Sequence, residues 1–188
     1  MVDKDSKQAS TFAGRLRRLD PNAYMGSSFV HWTMVMDERR SGWLCSESHL
    51  DFRDSLCHAL SRENLVCLAY CLMPDHCHLL WAGLHCQSDQ SQAMRQFRRD
   101  WNVRLKPYSL DRQAYDHVLR AKERERDALQ KVMAYIWNNP VRKGLASERE
   151  DWEFSGTFFP GYPTLDFRKE YFYVNLWKAF NEQVERFG

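Results

Sequence analysis

The chain has no cysteine pair at CxxC spacing, no apolar run long enough for a bilayer, no strong excess of either charge and no low-complexity tract. Each absence removes a class of protein. Cys45, Cys57, Cys67, Cys71, Cys77 and Cys86 form no regular framework, which argues against a disulfide scaffold and for reduced, mostly buried thiols. The longest apolar stretch, Leu65 to Met73, falls far short of the ~20 residues of a membrane helix, so no membrane partner is expected. The first residues, Met1-Val2-Asp3-Lys4-Asp5, lack the apolar core of a secretory leader. These features together predict a soluble cytoplasmic protein. Lys and Arg total 27 against 25 for Asp and Glu, a net charge of +2, so any affinity for nucleic acid must come from local clustering.

What is present suits one domain with extensions. The 188 residues are 44% hydrophobic, enough for an ordinary core. Residues 1–28 are polar and read as a flexible basic arm carrying Arg15, Arg17 and Arg18, either a solvated tail or a phosphate-contacting segment. Phe29 to Met36 is aromatic and β-branched enough for a first strand with His31, Thr33 and Val35 on one face. A lone strand histidine is most simply structural, and His31 is assigned no role. Glu47 to Ser61 reads as a helix buried through Phe52, Leu56, Ala59 and Leu60. Cys45, His49, Cys57 and His58 match no familiar zinc spacing.

Asn64 to Met73 suggests a central strand, turned by Pro74-Asp75 into an antiparallel partner. In Leu72-Met73-Pro74-Asp75-His76-Cys77-His78-Leu79-Leu80-Trp81, strand alternation points His76 and His78 the same way and Cys77 the other. Paired imidazoles at that spacing can grip one metal ion, or simply be polar residues on a solvated face. Ser88 to Leu105 is a helix with Ala93, Phe97 and Trp101 inward. Arg95, Arg98, Arg99, Arg104 and Lys106 crowd its remaining surface against Asp100, the positive excess that the total charge conceals. Gln113 to Ala121 reads as a strand with Asp116 and His117 on opposite faces, and His117 is at most an outer support of a site. Glu123 to Asn139 is a helix with an apolar face of Leu129, Val132, Met133 and Ile136, ended near Asn139 by Pro140. Tyr135 and Asn139 stand at i and i+4 on one face of its C-terminal end. Beyond residue 150, aromatics interrupted by Gly156, Pro160, Gly161 and Pro163 suggest a loop leading to a last helix from about Phe167 to Arg186, packed onto the domain.

Two stretches together resemble the transposase IS200-like family, more narrowly its REP-associated tyrosine transposase branch. Pro74-Asp75-His76-Cys77-His78-Leu79-Leu80 resembles the family's histidine strand (the HUH motif). Tyr135-Ile136-Trp137-Asn138-Asn139-Pro140-Val141-Arg142-Lys143-Gly144-Leu145 resembles its nucleophile helix, and Tyr115-Asp116-His117-Val118-Leu119-Arg120 a segment between them. The likeness covers roughly residues 29–155. Cys77 departs from it, standing where a larger aliphatic is usual. The resemblance implies an α+β fold, a ferredoxin-like antiparallel sheet in β-α-β-β-α-β order with helices packed against it, over a catalytic domain of residues 29–150. An N-terminal arm (1–28) and an aromatic extension (151–188) flank it. Further implied are a divalent metal, Mg²⁺ or Mn²⁺, on His76, His78 and Asn139, and Tyr135 as the nucleophile. The implied reaction is cleavage and rejoining of single-stranded DNA near the hairpin of a palindromic repeat, with a covalent phosphotyrosine. Such a protein is expected at the nucleoid. Arg95, Arg98, Arg99 and Arg104 and the arm's Arg15, Arg17 and Arg18 are the candidates for gripping DNA. A homodimer with the tyrosine acting across it is left open. One alternative is a non-catalytic DNA-repeat-binding protein of the same fold. Another is a structural zinc protein drawing on Cys71, His76, Cys77, His78, His85 and Cys86.

Overall fold

Alternation of side chains along two long apolar strands sets the architecture, because both faces of those strands must be covered. A computed structural model describes residues 19–187, so Arg15, Arg17 and Arg18 lie outside the described residues. The element order is β1 (Phe29–Val35), α1 (Ser46–Arg62), β2 (Leu65–Met73), β3 (His76–Gly83), α2 (Gln90–Arg104), β4 (Tyr115–Val118), α3 (Arg126–Trp137), α4 (Asn139–Arg142), β5 (Ser155–Phe158) and α5 (Phe172–Phe187). The five strands form one antiparallel sheet in the order β4-β1-β3-β2-β5. Pro74 and Asp75 close the β2–β3 hairpin, pairing Met73 with His76. The histidine strand is therefore the middle one.

Each sheet face has its own core. Trp32, Met34, Cys77, Leu79, Trp81 and Leu72 pack with Phe52, Leu56, Phe97 and Trp101 of α1 and α2. Ala69, Cys71, Met73, Leu80 and Ala82 pack with Leu129, Met133, Ile136 and Leu176 of α3 and α5. Phe52, Phe97 and Trp101 make tilted or edge-on pairs with ring centroids 5.2–5.5 Å apart, each adding about 0.5–1.5 kcal/mol beyond burial. Gly83 permits a close crossing: an added Cβ would lie 1.9 Å from the backbone oxygen of Gly26.

The order β-α-β-β-α-β is the one expected, and a fifth strand comes from the aromatic extension. Ser155–Phe158 pairs with β2, and Gly156 lets it do so, since a Cβ there would meet the Tyr70 hydroxyl oxygen at 2.7 Å. Trp137 Nε1 donates to the Gly156 carbonyl at 3.2 Å, and its ring stacks on Phe167 at 4.5 Å. Trp152 Nε1 donates to the Leu72 carbonyl at 2.8 Å. A four-residue strand containing glycine carries almost no pattern of its own, because its pairing is decided by the partner strand.

Three boundaries differ from expectation. The strand expected over 113–121 is only Tyr115–Val118. The helix expected over 123–139 begins after a 3₁₀ turn at Ala121–Arg124, with Glu125 extended between them, and breaks at Asn138 before α4, which carries Pro140. The last helix starts at Phe172 rather than Phe167, because the Asp166 carboxylate accepts from Arg168 N at 3.0 Å and holds a turn there.

Candidate active site

The α3 side of the sheet gathers four of the residues that bear chemistry. His76 and His78 stand two apart on β3, and the register places Thr33 of β1 directly opposite His78. His31, two residues earlier on β1, turns to the same face. Its Nε2 lies 3.2 Å from His78 Nδ1, and Thr33 Oγ1 lies 3.1 Å from that same nitrogen. His76 Nδ1 donates to the Asp75 carboxylate at 2.6 Å, and Arg39 anchors the other carboxylate oxygen at 2.8 Å. One nitrogen of each β3 imidazole is thus held by an outer partner, leaving Nε2 of each as the remaining donor atom. Outer bonds of this kind fix tautomer and ring orientation in metal-ligating histidines.

Burial keeps the His78 and His31 rings neutral. His78 is 8% exposed; its pKa is lowered to about 3 by desolvation first, then by His31, His76 and Arg142. His31 is lowered to about 4 by desolvation and by His117. A neutral imidazole keeps the lone pair that a metal or a proton would need. At Asp75, burial pushes the carboxyl up, but hydrogen bonds from His76 and Arg39 outweigh it and hold the group below its ordinary value.

Tyr135 comes from α3, above the sheet. Its ring lies 6.4 Å from that of His78 and 6.5 Å from that of His31. At 46% exposed it is an aromatic open to solvent beside the buried His78 and half-buried His31 imidazoles. The Arg142 guanidinium stands over the Tyr135 ring at 4.8 Å, a cation–π geometry. Asn139 is buried, and its Nδ2 donates to the carbonyls of Tyr135 and Ile136 at 3.0 and 3.2 Å. It therefore caps the end of α3, and its Oδ1 is the atom left for a ligand.

No family model matches the chain. Over 141 residues it is 26% identical to a Haemophilus influenzae protein assigned to the REP-associated tyrosine transposases, covering 66% of this chain and 76% of the relative. A solved structure of the REP-associated tyrosine transposase bound to a REP hairpin superposes with a TM-score of 0.62 at 22% identity, over 76% of this chain and 81% of that one. The chain is similar to these REP-associated tyrosine transposases. It shares with that solved structure an α+β fold built on an antiparallel sheet with helices against it.

The structure sorts the residues singled out from sequence. It brings together His76, His78 and Tyr135. Cys77 is buried among the residues of the α1–α2 side, away from the histidines, and His85 and Cys86 follow the far end of β3. Among the described residues no group of three or more His, Cys, Asp or Glu side chains is arranged to hold a metal ion, so the zinc set drawn on those cysteines does not assemble. His117 pairs in register with His31, is exposed, and binds Glu123 Oε1 at 2.9 Å; it touches neither β3 histidine. Arg95, Arg98 and Arg99 line a cavity on the opposite sheet face. Arg104 instead pairs with Asp51 at 3.0 Å and with Asp54 on α1. His31, Thr33 and Arg142 carried no assigned role in the sequence. Their signal was available for β1, where His31 and Thr33 share the face that a neighbouring β3 would present to His78. Among the described residues no helix is long and apolar enough to cross a membrane.

Proposed function

We propose that this chain cleaves and rejoins single-stranded DNA beside a hairpin, through a covalent phosphotyrosine on Tyr135. The observation that carries the reading is an exposed tyrosine set beside the neutral His78 and His31 imidazoles and under a guanidinium. Tyr135 Oη attacks phosphorus, a backbone P–O bond breaks, and the proton lost by the phenol is balanced by the one gained at the freed hydroxyl. The phosphodiester energy stays in the protein–DNA bond, so a second strand's hydroxyl can reverse the step. The Arg142 guanidinium favours the phenolate as it forms and faces the charge on the phosphate.

The donor set fits a divalent ion, because His76 and His78 each keep Nε2 while Asp75 and Thr33 hold the other nitrogen. Mg²⁺ or Mn²⁺ held by His76, His78 and Asn139 Oδ1 would neutralise charge at the scissile phosphate. Imidazole ligands favour Mn²⁺ over Mg²⁺ on affinity. In this reading Tyr135 acts in cis, a reading supported by the 6.4 Å between its ring and that of His78 within one chain. The α2 arginines contact DNA in this reading.

The test is incubation of single-stranded hairpin DNA with the protein and Mn²⁺ or Mg²⁺, comparing wild type with Tyr135→Phe. A covalent adduct that needs both the metal and Tyr135 supports the reading. Binding of the hairpin without cleavage under any divalent ion replaces it with the repeat-binding protein of the same fold.

A further inference from the structure

A cavity lies on the other face of the sheet from Tyr135. About 720 Å³ in volume, it opens between α2, the segment preceding β1 and the segment leading into β4. Trp32 lies at its floor, whereas its neighbours His31 and Thr33 point to the tyrosine side. Its volume is in the range of ligand sites rather than packing defects, which are far smaller.

Four guanidiniums line it. Arg95, Arg98 and Arg99 come from successive turns of α2, and Arg112 from the segment before β4. The only acidic side chain of the lining is Asp89, whose Oδ1 accepts from Gln92 N at 2.9 Å as the cap of α2. Arg98 also reaches the Asp111 carbonyl, which ties α2 to the segment carrying Arg112. Arg95, Arg99 and Arg112 are exposed, and Arg99 holds only a solvent-exposed 3.4 Å pairing with its neighbour Asp100, so all three can meet an incoming anion. Like charges crowded in this way destabilise the empty fold and are offset when phosphates bridge them. Part of the wall is apolar, with Leu19 at 55% and Met25 at 36% exposed, a surface that suits unstacked bases.

The chain at the Gln113 wall of the cavity leads on to the sheet edge nearest the tyrosine. Two residues beyond its Gln113 wall, Tyr115 begins the edge strand β4 at 47% exposed. Tyr115 pairs in register with Thr33, which itself faces His78 across β1 and β3. With strands about 4.8 Å apart, that row brings the sheet edge within about 10 Å of the histidine pair. We infer that the arginine cavity is a second DNA site, which holds the phosphates of an unpaired strand whose continuation passes over the β4 edge and Tyr115 to Tyr135. This inference rests on the proposed single-strand chemistry for its substrate class, and adds where the strand is held before it is cut.

The experiment compares wild type with an Arg95→Gln/Arg99→Gln/Arg112→Gln variant, and with the matching triple Lys variant as a control for charge. Arg98 is left intact because it ties two segments together. Fluorescence anisotropy measures affinity for a short unpaired oligonucleotide over a salt series. Loss of three phosphate contacts, at roughly 0.7 each for a single strand, lowers the slope of log K against log salt by about 2. The Lys variant keeps most of that slope. In the cleavage assay KM rises at least tenfold for the Gln variant while kcat at saturating DNA stays within about twofold. An unchanged salt slope and affinity in the Gln variant overturns the inference, whether or not wild type cleaves DNA. Displacement of the oligonucleotide by a mononucleotide at equal phosphate concentration also overturns it, because the cavity is then a free-nucleotide site. Failure to form a Tyr135 adduct with an intact salt-slope difference removes the chemistry and leaves the strand site standing.

Discussion

His49 gives the fold a calculable sensitivity to acid, well away from Tyr135. Its Nε2 lies 3.0 Å from the Tyr70 hydroxyl, and Arg53 Nη1 donates to that same oxygen at 2.9 Å. A guanidinium can only donate, so the tyrosine's own proton goes to His49, which must accept it as the neutral ring. The rings of Phe52, Tyr70 and Phe154 surround it at 5.7–6.5 Å. Burial, and then the Arg53 charge, lower the His49 pKa from 6.5 to about 4. The unfolded chain therefore takes up a proton at higher pH than the folded one. The stabilisation is complete above pH 6.5 and is lost as pH falls through the window from 6.5 to about 4. At about 1.4 kcal/mol per pH unit this window bounds the effect at about 3.5 kcal/mol. Partial exposure of the ring reduces it to roughly 2 kcal/mol. Urea unfolding at pH 7.5, 5.5 and 4.2 would read this out, comparing wild type with His49→Gln, which keeps a hydrogen-bond acceptor and cannot titrate. With a denaturant slope of about 2 kcal/mol/M, the wild-type midpoint should fall by about 1 M more than that of the variant across the series. Parallel pH profiles for the two proteins would refute the reasoning, because the neutral ring would then contribute nothing to folding.

Gly83→Ala should be the more damaging of two glycine substitutions, at 3 kcal/mol or more on the order-of-magnitude scale of overpacking, because its Cβ meets a backbone oxygen. Gly156→Ala should cost about 1–3 kcal/mol, since the Tyr70 side chain it meets has some freedom; urea midpoints check both, and equal effects would contradict the geometry. Thr33→Val removes one partner of His78 Nδ1 and should weaken Mn²⁺ binding by about 10–100-fold with the thermal midpoint little changed, as read by metal titration. Cys77→Ala should leave metal affinity as in wild type while costing about 1–2 kcal/mol of packing, because the thiol is 1% exposed on the opposite sheet face; loss of metal binding would revive a thiolate ligand.

The sheet and the histidine pair were legible because they rest on local rules. Alternation places His76 and His78 together and Cys77 apart, and Pro74-Asp75 forces the hairpin that puts them on a middle strand. The position of Tyr135 near the end of a helix was equally local, fixed by Pro140 and the apolar face of α3. What escaped depends on which strands become neighbours. His31 is unremarkable on β1 until β3 pairs beside it, and Arg142 until α4 folds back over the tyrosine. β5 is a short glycine-bearing segment whose identity as a strand comes from Tyr70 and Trp137. Arg104 looked like its neighbours on α2, yet carboxylates of a helix remote in sequence claim it.

The two halves of the candidate centre sit on elements of unequal firmness. The imidazoles belong to a strand laddered on both edges, by β1 and by β2, whose amides can exchange with solvent only when the whole molecule opens. Tyr135 stands in the last turns of a twelve-residue helix, followed by a break at Asn138. Fluctuations that lift that helix end cost far less than any that disturb the strand. Hydrogen-exchange rates across residues 134–142 should thus run ahead of those across 76–83, and a tyrosine bearing a covalently joined DNA end could swing without loosening the histidines that it must return to.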